Sequence, residues 1–140
     1  MMKKANETGY AKFTNLAKDV TNLLTTARRL RDDLKIFYLT HSENIEDEGR
    51  IVGQKIKTIG KMLDNQVVLE GLFSIVLYTH VDEDKNENAN YHFVTNRWRN
   101  YPAKSPMGMF DDTLIPNDLQ QVVEIVDNYY NDEEPIKKTK

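Results

Sequence analysis

The sequence predicts a mixed α/β fold, and three observations lead there. Apolar residues recur at three- and four-residue steps from Tyr10 to Leu30. Two compact apolar runs rich in β-favouring residues follow, at Leu34–Thr40 and Leu69–Val81. A second helical period begins after Pro116.

In the first segment Tyr10, Phe13, Leu16, Ala17, Val20, Leu23, Leu24, Ala27 and Leu30 form one stripe, with Lys12, Lys18, Asn22 and Arg29 between them. This is the pattern of an amphipathic helix. Asp32 and Asp33 end it, and the run Leu34-Lys35-Ile36-Phe37-Tyr38-Leu39-Thr40 is expected to be a central strand buried on both faces. From His41 to Lys57 the chain is polar, with Gly49 and Gly53, and reads as a long functional loop. Leu72–Tyr78 is the centre of a second strand, Asp82–Asn86 a turn and Tyr91–Thr95 the returning strand of a hairpin. Pro102 and Pro106 exclude a regular helix from the next segment. A last helix starts near Pro116-Asn117, with Asn117 and Gln120 as its cap and Leu119, Val122, Val123, Val126 and Tyr129 or Tyr130 as its apolar face. A single domain is expected over 1–130, with a disordered tail over 131–140.

Composition narrows the function classes. The 140 residues are 39% hydrophobic and 29% charged, which suits one folded core rather than a disordered chain. A net charge of −3 gives no global attraction to nucleic acid, so any such contact must be local. With no cysteine, disulfides and thiolate zinc sites are excluded, and a cytoplasmic location is expected. No apolar run reaches the roughly 20 residues of a membrane span, and no membrane partner is expected.

Catalytic patterns are sparse. A phosphate loop requires two glycines four residues apart and then Lys-Ser or Lys-Thr, because backbone amides wrap the phosphates while the lysine reaches them. The nearest stretch, Gly53 to Met62, has its glycines too far apart and Met62 in place of the hydroxyl. His41-Ser42-Glu43 resembles half of a zinc deaminase motif, but the cysteine ligands are missing. Four cations, Arg50, Lys55, Lys57 and Lys61, gather beside Gly49, Gly53 and Gly60 as candidate contacts to a nucleic-acid backbone, diluted by Glu43, Glu46, Asp47 and Glu48.

The blocks Leu34–Glu43, Lys57–Thr79 and Ala103-Lys104-Ser105-Pro106-Met107-Gly108-Met109-Phe110 resemble the phage nucleotide-binding (AAA/RecA-like) ATPase family. The resemblance spans about Gly9 to Tyr130 and implies a partial RecA-like core that lacks the phosphate-loop half and ends in a β-hairpin and a helix. It implies a role in DNA recombination or replication inside a bacterial host, with His41 as a sensor of the γ-phosphate. The loop after His41 would face single-stranded DNA, and Lys104 would be a cation lent to a neighbouring subunit, a role that Arg97 or Arg99 would otherwise fill. The family uses ATP and Mg, but this chain alone is expected to bind neither. The slot of the phosphate-loop strand would be empty, so the implied partners are further copies of the chain or a protein that carries a phosphate loop. The alternative is a non-enzymatic interaction protein that binds or blocks a full-length relative, or an inactive remnant.

Overall fold

The computed structural model describes residues 10–57 and 69–131, and its side chains from Thr14 onward. The fold is mixed α/β. Two helices, α1 (Tyr10–Thr26) and α2 (Leu119–Asn131), accompany a two-stranded sheet of β1 (Ser42–Asp47) and β2 (Arg50–Ile56) and a three-stranded sheet of β3 (Tyr78–Glu83), β4 (Ala89–Val94) and β5 (Leu114–Pro116). The chain divides into two compact units, Met1–Asn44 with Lys55–Phe73 and Ile45–Gln54 with Ser74–Lys140.

In the first unit α1 follows the predicted period but stops at Thr26, and Ala27–Arg29 continues as a 3-10 turn. Threonines supply a reason. Thr21, Thr25 and Thr26 donate their hydroxyls to the carbonyls of Ala17, Thr21 and Asn22 at 2.9, 2.8 and 2.6 Å, a local competition that weakens a helix towards its end. Downstream, Arg28 donates to the Leu72 carbonyl at 3.3 Å, and the Ile56 amide donates to the Glu70 carboxylate at 2.7 Å. Leu69 opens a short 3-10 turn, Leu69–Leu72, and is buried.

The segment Leu34–Thr40 departs from expectation. It is not a buried central strand: it belongs to no ladder among the described residues, and Leu34, Ile36, Phe37 and Leu39 are exposed, Leu39 to 86%. Tyr38 alone turns inward, with its ring 5.3 Å from Phe73 and its hydroxyl donating to the Leu24 carbonyl at 3.4 Å. An apolar run supplies side chains for a strand, but only a neighbouring backbone makes it one.

The predicted loop His41–Lys57 is instead the hairpin β1–β2. Glu48 (φ 46°) and Gly49 (φ 77°) form its turn, two successive left-handed residues whose twist matches paired strands. The Lys57 amide donates to the His41 carbonyl at 2.8 Å and closes the base of the hairpin.

In the second unit the predicted hairpin is present, displaced towards the carboxyl end: β3 spans Tyr78–Glu83, and the turn lies at Asp84–Asn88. β4 is central. His92, Phe93 and Val94 pair with His80, Thr79 and Tyr78 on one side and with Pro116, Ile115 and Leu114 on the other. Strand alternation then sends Phe93 and Val94 to opposite faces. Phe93 packs with Ile115, Met109, Phe110 and Val122, and Val94 packs with Tyr78 and Ala103.

The helix α2 starts two residues later than expected, and its cap is Asp118, not Asn117. The Asp118 carboxylate accepts from the Gln120 and Gln121 amides at 2.8 and 3.4 Å, whereas Asn117 donates its side-chain amide to the His92 carbonyl at 3.4 Å. Of the predicted face Val122, Val126 and Tyr129 meet the core, joined by Ile125, while Leu119 and Tyr130 are exposed.

Val94 and Thr95 are fully buried at the end of β4. Thr95 satisfies its polar atoms by donating its amide to the Thr113 carbonyl at 2.9 Å and its hydroxyl to the Asp112 carbonyl at 2.8 Å. Replacing the hydroxyl by a methyl keeps the shape and strands a carbonyl. Thr95→Val should therefore destabilise the second unit by about 2 kcal/mol, read as a lower urea midpoint with an unchanged far-ultraviolet circular dichroism spectrum.

Candidate functional site

His41 is exposed and stands in the first unit, immediately before β1, where its backbone carbonyl holds Lys57. Lys104 stands in the second unit. It is fixed at its backbone rather than carried on a free loop: its amide donates to the Val76 carbonyl at 2.9 Å, and the Val76 amide donates back at 2.8 Å.

The cations around the first hairpin are partly matched by acids. Lys55 lies 3.1 Å from the Glu43 carboxylate, with both side chains 37% exposed. Arg50 opens β2, next to the turn that follows Glu46 and Asp47, and Lys57 is exposed after β2. Lys61 lies outside the described residues. Four acids, Glu43, Glu46, Asp47 and Glu48, thus accompany three described cations, and the hairpin is not a basic surface.

A denser group of chemically able side chains forms in the second unit. Trp98 and Tyr101 bracket a tight turn closed by two backbone hydrogen bonds, from the Trp98 amide to the Tyr101 carbonyl at 3.2 Å and from the Tyr101 amide to the Trp98 carbonyl at 2.9 Å. Their rings are nearly parallel at 11°, with centroids 6.0 Å apart. His80, reaching across from β3, meets both rings edge-on at 5.0 and 5.6 Å, and its Nδ1 lies 3.1 Å from the Tyr101 hydroxyl. Arg99, at φ 50°, carries its guanidinium 4.1 Å over the indole. Tyr78 continues the cluster inward, 6.0 Å from Tyr101. The resemblance gives Arg97 and Arg99 only as substitutes for Lys104. The motif Arg97-Trp98-Arg99-Asn100-Tyr101 is contiguous in the sequence, whereas His80 joins it only through the β3–β4 pairing.

Beyond these rings, His92 Nε2 lies 3.4 Å from Asp82 on the neighbouring strand. Among the described residues no group of three or more His, Cys, Asp or Glu side chains could hold a metal ion. Among them also, no helix is long and apolar enough to cross a membrane.

One carboxylate is electrostatically set apart. Asp84 caps the β3–β4 turn, and the side-chain amide of Asn88 at 3.0 Å, then the backbone amides of Asn88 at 2.9 Å and Asn86 at 2.7 Å, hold its pKa below the usual carboxylate value. A depressed folded value means that this turn is stabilised above the unfolded pKa and loses that contribution as pH falls through the folded one. A carboxyl NMR titration should place Asp84 below 3.8. Asn88→Ala should move that midpoint upward.

Compared with family models, curated proteins and solved structures, the chain matches none.

Proposed function

We propose that this chain is a non-enzymatic interaction module that joins a RecA-like ATPase of the phage type, offering its Leu34–Leu39 segment as an added strand. The observation that carries the reading is the state of that segment. It is apolar and outside every ladder of the described residues, with Leu34, Ile36, Phe37 and Leu39 exposed. Such a segment gains both backbone hydrogen bonds and burial by adding to the open edge of another sheet. Strand alternation places Leu34, Ile36 and Tyr38 on one side and Lys35, Phe37 and Leu39 on the other, so both faces carry apolar side chains to a partner.

The resemblance to the RecA-like family names the kind of partner, because the strand adjoining this segment in that family belongs to the phosphate-loop half, and the sequence has no phosphate loop. The catalytic version of the reading, in which His41 and Lys104 complete a nucleotide site between subunits and Arg50, Lys55, Lys57 and Lys61 hold single-stranded DNA, rests on that resemblance alone.

Ile36→Lys and Leu39→Lys introduce charges at positions already exposed, so the isolated chain should keep its circular dichroism spectrum. Each should weaken binding to a phosphate-loop ATPase from the same genome at least tenfold in titration calorimetry, and unchanged affinity in both would remove the segment from the interface. The isolated chain should neither bind ATP at micromolar concentration nor hydrolyse it, since its sequence contains no phosphate-loop motif to hold a triphosphate. Turnover by the pure chain, abolished by His41→Ala or Lys104→Ala, would restore the catalytic reading.

A further inference from the structure

The Arg97–Tyr101 turn lies in an unusual stretch of the chain. No aspartate or glutamate occurs between Glu87 and Asp111, in a protein with 22 acidic residues and a net charge of −3. Within that stretch stand Arg97, Arg99 and Lys104 together with Tyr91, His92, Trp98 and Tyr101. The tertiary structure gathers the rings of Trp98, Tyr101 and His80 and sets a guanidinium against the indole.

We infer that this turn is a binding site for single-stranded nucleic acid, in which a base stacks on Trp98 and the two arginines take the flanking phosphates. The inference does not depend on the interaction role of the Leu34–Leu39 segment, which belongs to the other unit. Three features point to this ligand. First, Trp98 packs against the cluster of Tyr78, Val94 and Ala103, with the Tyr101 ring nearly parallel to it and His80 meeting it edge-on, so its ring is oriented before any ligand arrives. Second, Arg99 already occupies the position over the indole that a flat, electron-poor group takes up. A base that exchanges with it keeps the stack and frees the guanidinium for a phosphate, and stacking of this kind tolerates any base. Third, Arg97 and Arg99 are both exposed, and no acid within the turn neutralises them. The left-handed backbone at Arg99, a conformation more natural to glycine or asparagine, throws that side chain back over the ring.

The ligand must present unpaired bases as well as phosphates. A duplex hides its ring faces, and an anionic polymer without bases has none to offer.

Trp98 is the protein's one tryptophan, so its fluorescence reports on this site alone. Titration of the full chain with a thymidine oligonucleotide at low salt should quench that emission along a saturable curve matching fluorescence anisotropy of the labelled strand. Arg97→Gln with Arg99→Gln should weaken binding by roughly tenfold or more, and should flatten the dependence of log affinity on log salt by about 0.7 per arginine. Trp98→Ala should weaken it by a similar factor. Because that ring also packs against the core, Trp98→Phe, which keeps a stacking face, should retain most of the affinity by anisotropy. The inference is overturned if heparin or polyphosphate quenches equally, if duplex binds as tightly as single strand, or if the double arginine variant binds like the wild type. It is equally overturned if binding is lost on replacing Arg50, Lys55 and Lys57 while the arginine variant retains it.

Discussion

The second unit depends on β4 having a neighbour on each side. Its residues His92, Phe93 and Val94 pair with both β3 and β5, and the strand ends in the fully buried pair Val94 and Thr95. Burying Thr95 is tolerable only because its hydroxyl and amide reach the Asp112 and Thr113 carbonyls. Those bonds pin the chain that leads into β5, and β5 leads into α2. The Thr95 bonds thus add to the β4–β5 ladder and the Phe93 cluster in fixing the sheet and the helix.

From this strand the two faces of the sheet take different tasks. Phe93 anchors the apolar cluster under α2, where Val122, Ile125, Val126 and Tyr129 meet Met109, Phe110 and Ile115. Val94, one residue on, faces Tyr78 and Ala103, and on that side Trp98, Tyr101 and His80 assemble. The aromatic group is thus an outward extension of a core. Its inner rings are packed, and its outer members, Arg97 and Arg99, are in water. The rings thus lie between a packed core and a charged rim.

In the first unit, bonds between segments run from Tyr38 to Leu24, from Arg28 to Leu72, from Ile56 to Glu70 and from Lys57 to His41. Between them Leu34, Ile36, Phe37 and Leu39 remain exposed. Burying a large apolar side chain of this kind contributes roughly 1.5–3 kcal/mol, which gives a partner strand a strong reason to cover the segment. The acids of β1 face the cations of β2 across the hairpin and partly pair, as Glu43 does with Lys55, so that hairpin lacks the uncompensated positive charge that marks the Arg97–Tyr101 turn.

By itself the sequence determined what depends on local periodicity and local chemistry. The stripe from Tyr10 onward and the Val122–Val126 spacing made two helices, and the polar break between Val81 and Tyr91 made a hairpin. Only the tertiary structure decided what depends on partners distant in the chain. Leu34–Thr40 has the composition of a buried strand and pairs with no backbone among the described residues, while the polar stretch Ser42–Ile56 forms strands because the left-handed Glu48–Gly49 turn folds it on itself. Likewise Asp118 rather than Asn117 caps α2, because the Asn117 side chain is drawn to the His92 carbonyl of β4. The meeting of His80 with Trp98 and Tyr101 required the β3–β4 register, since residues separated by about twenty positions are brought together by pairing energy that no single segment contains.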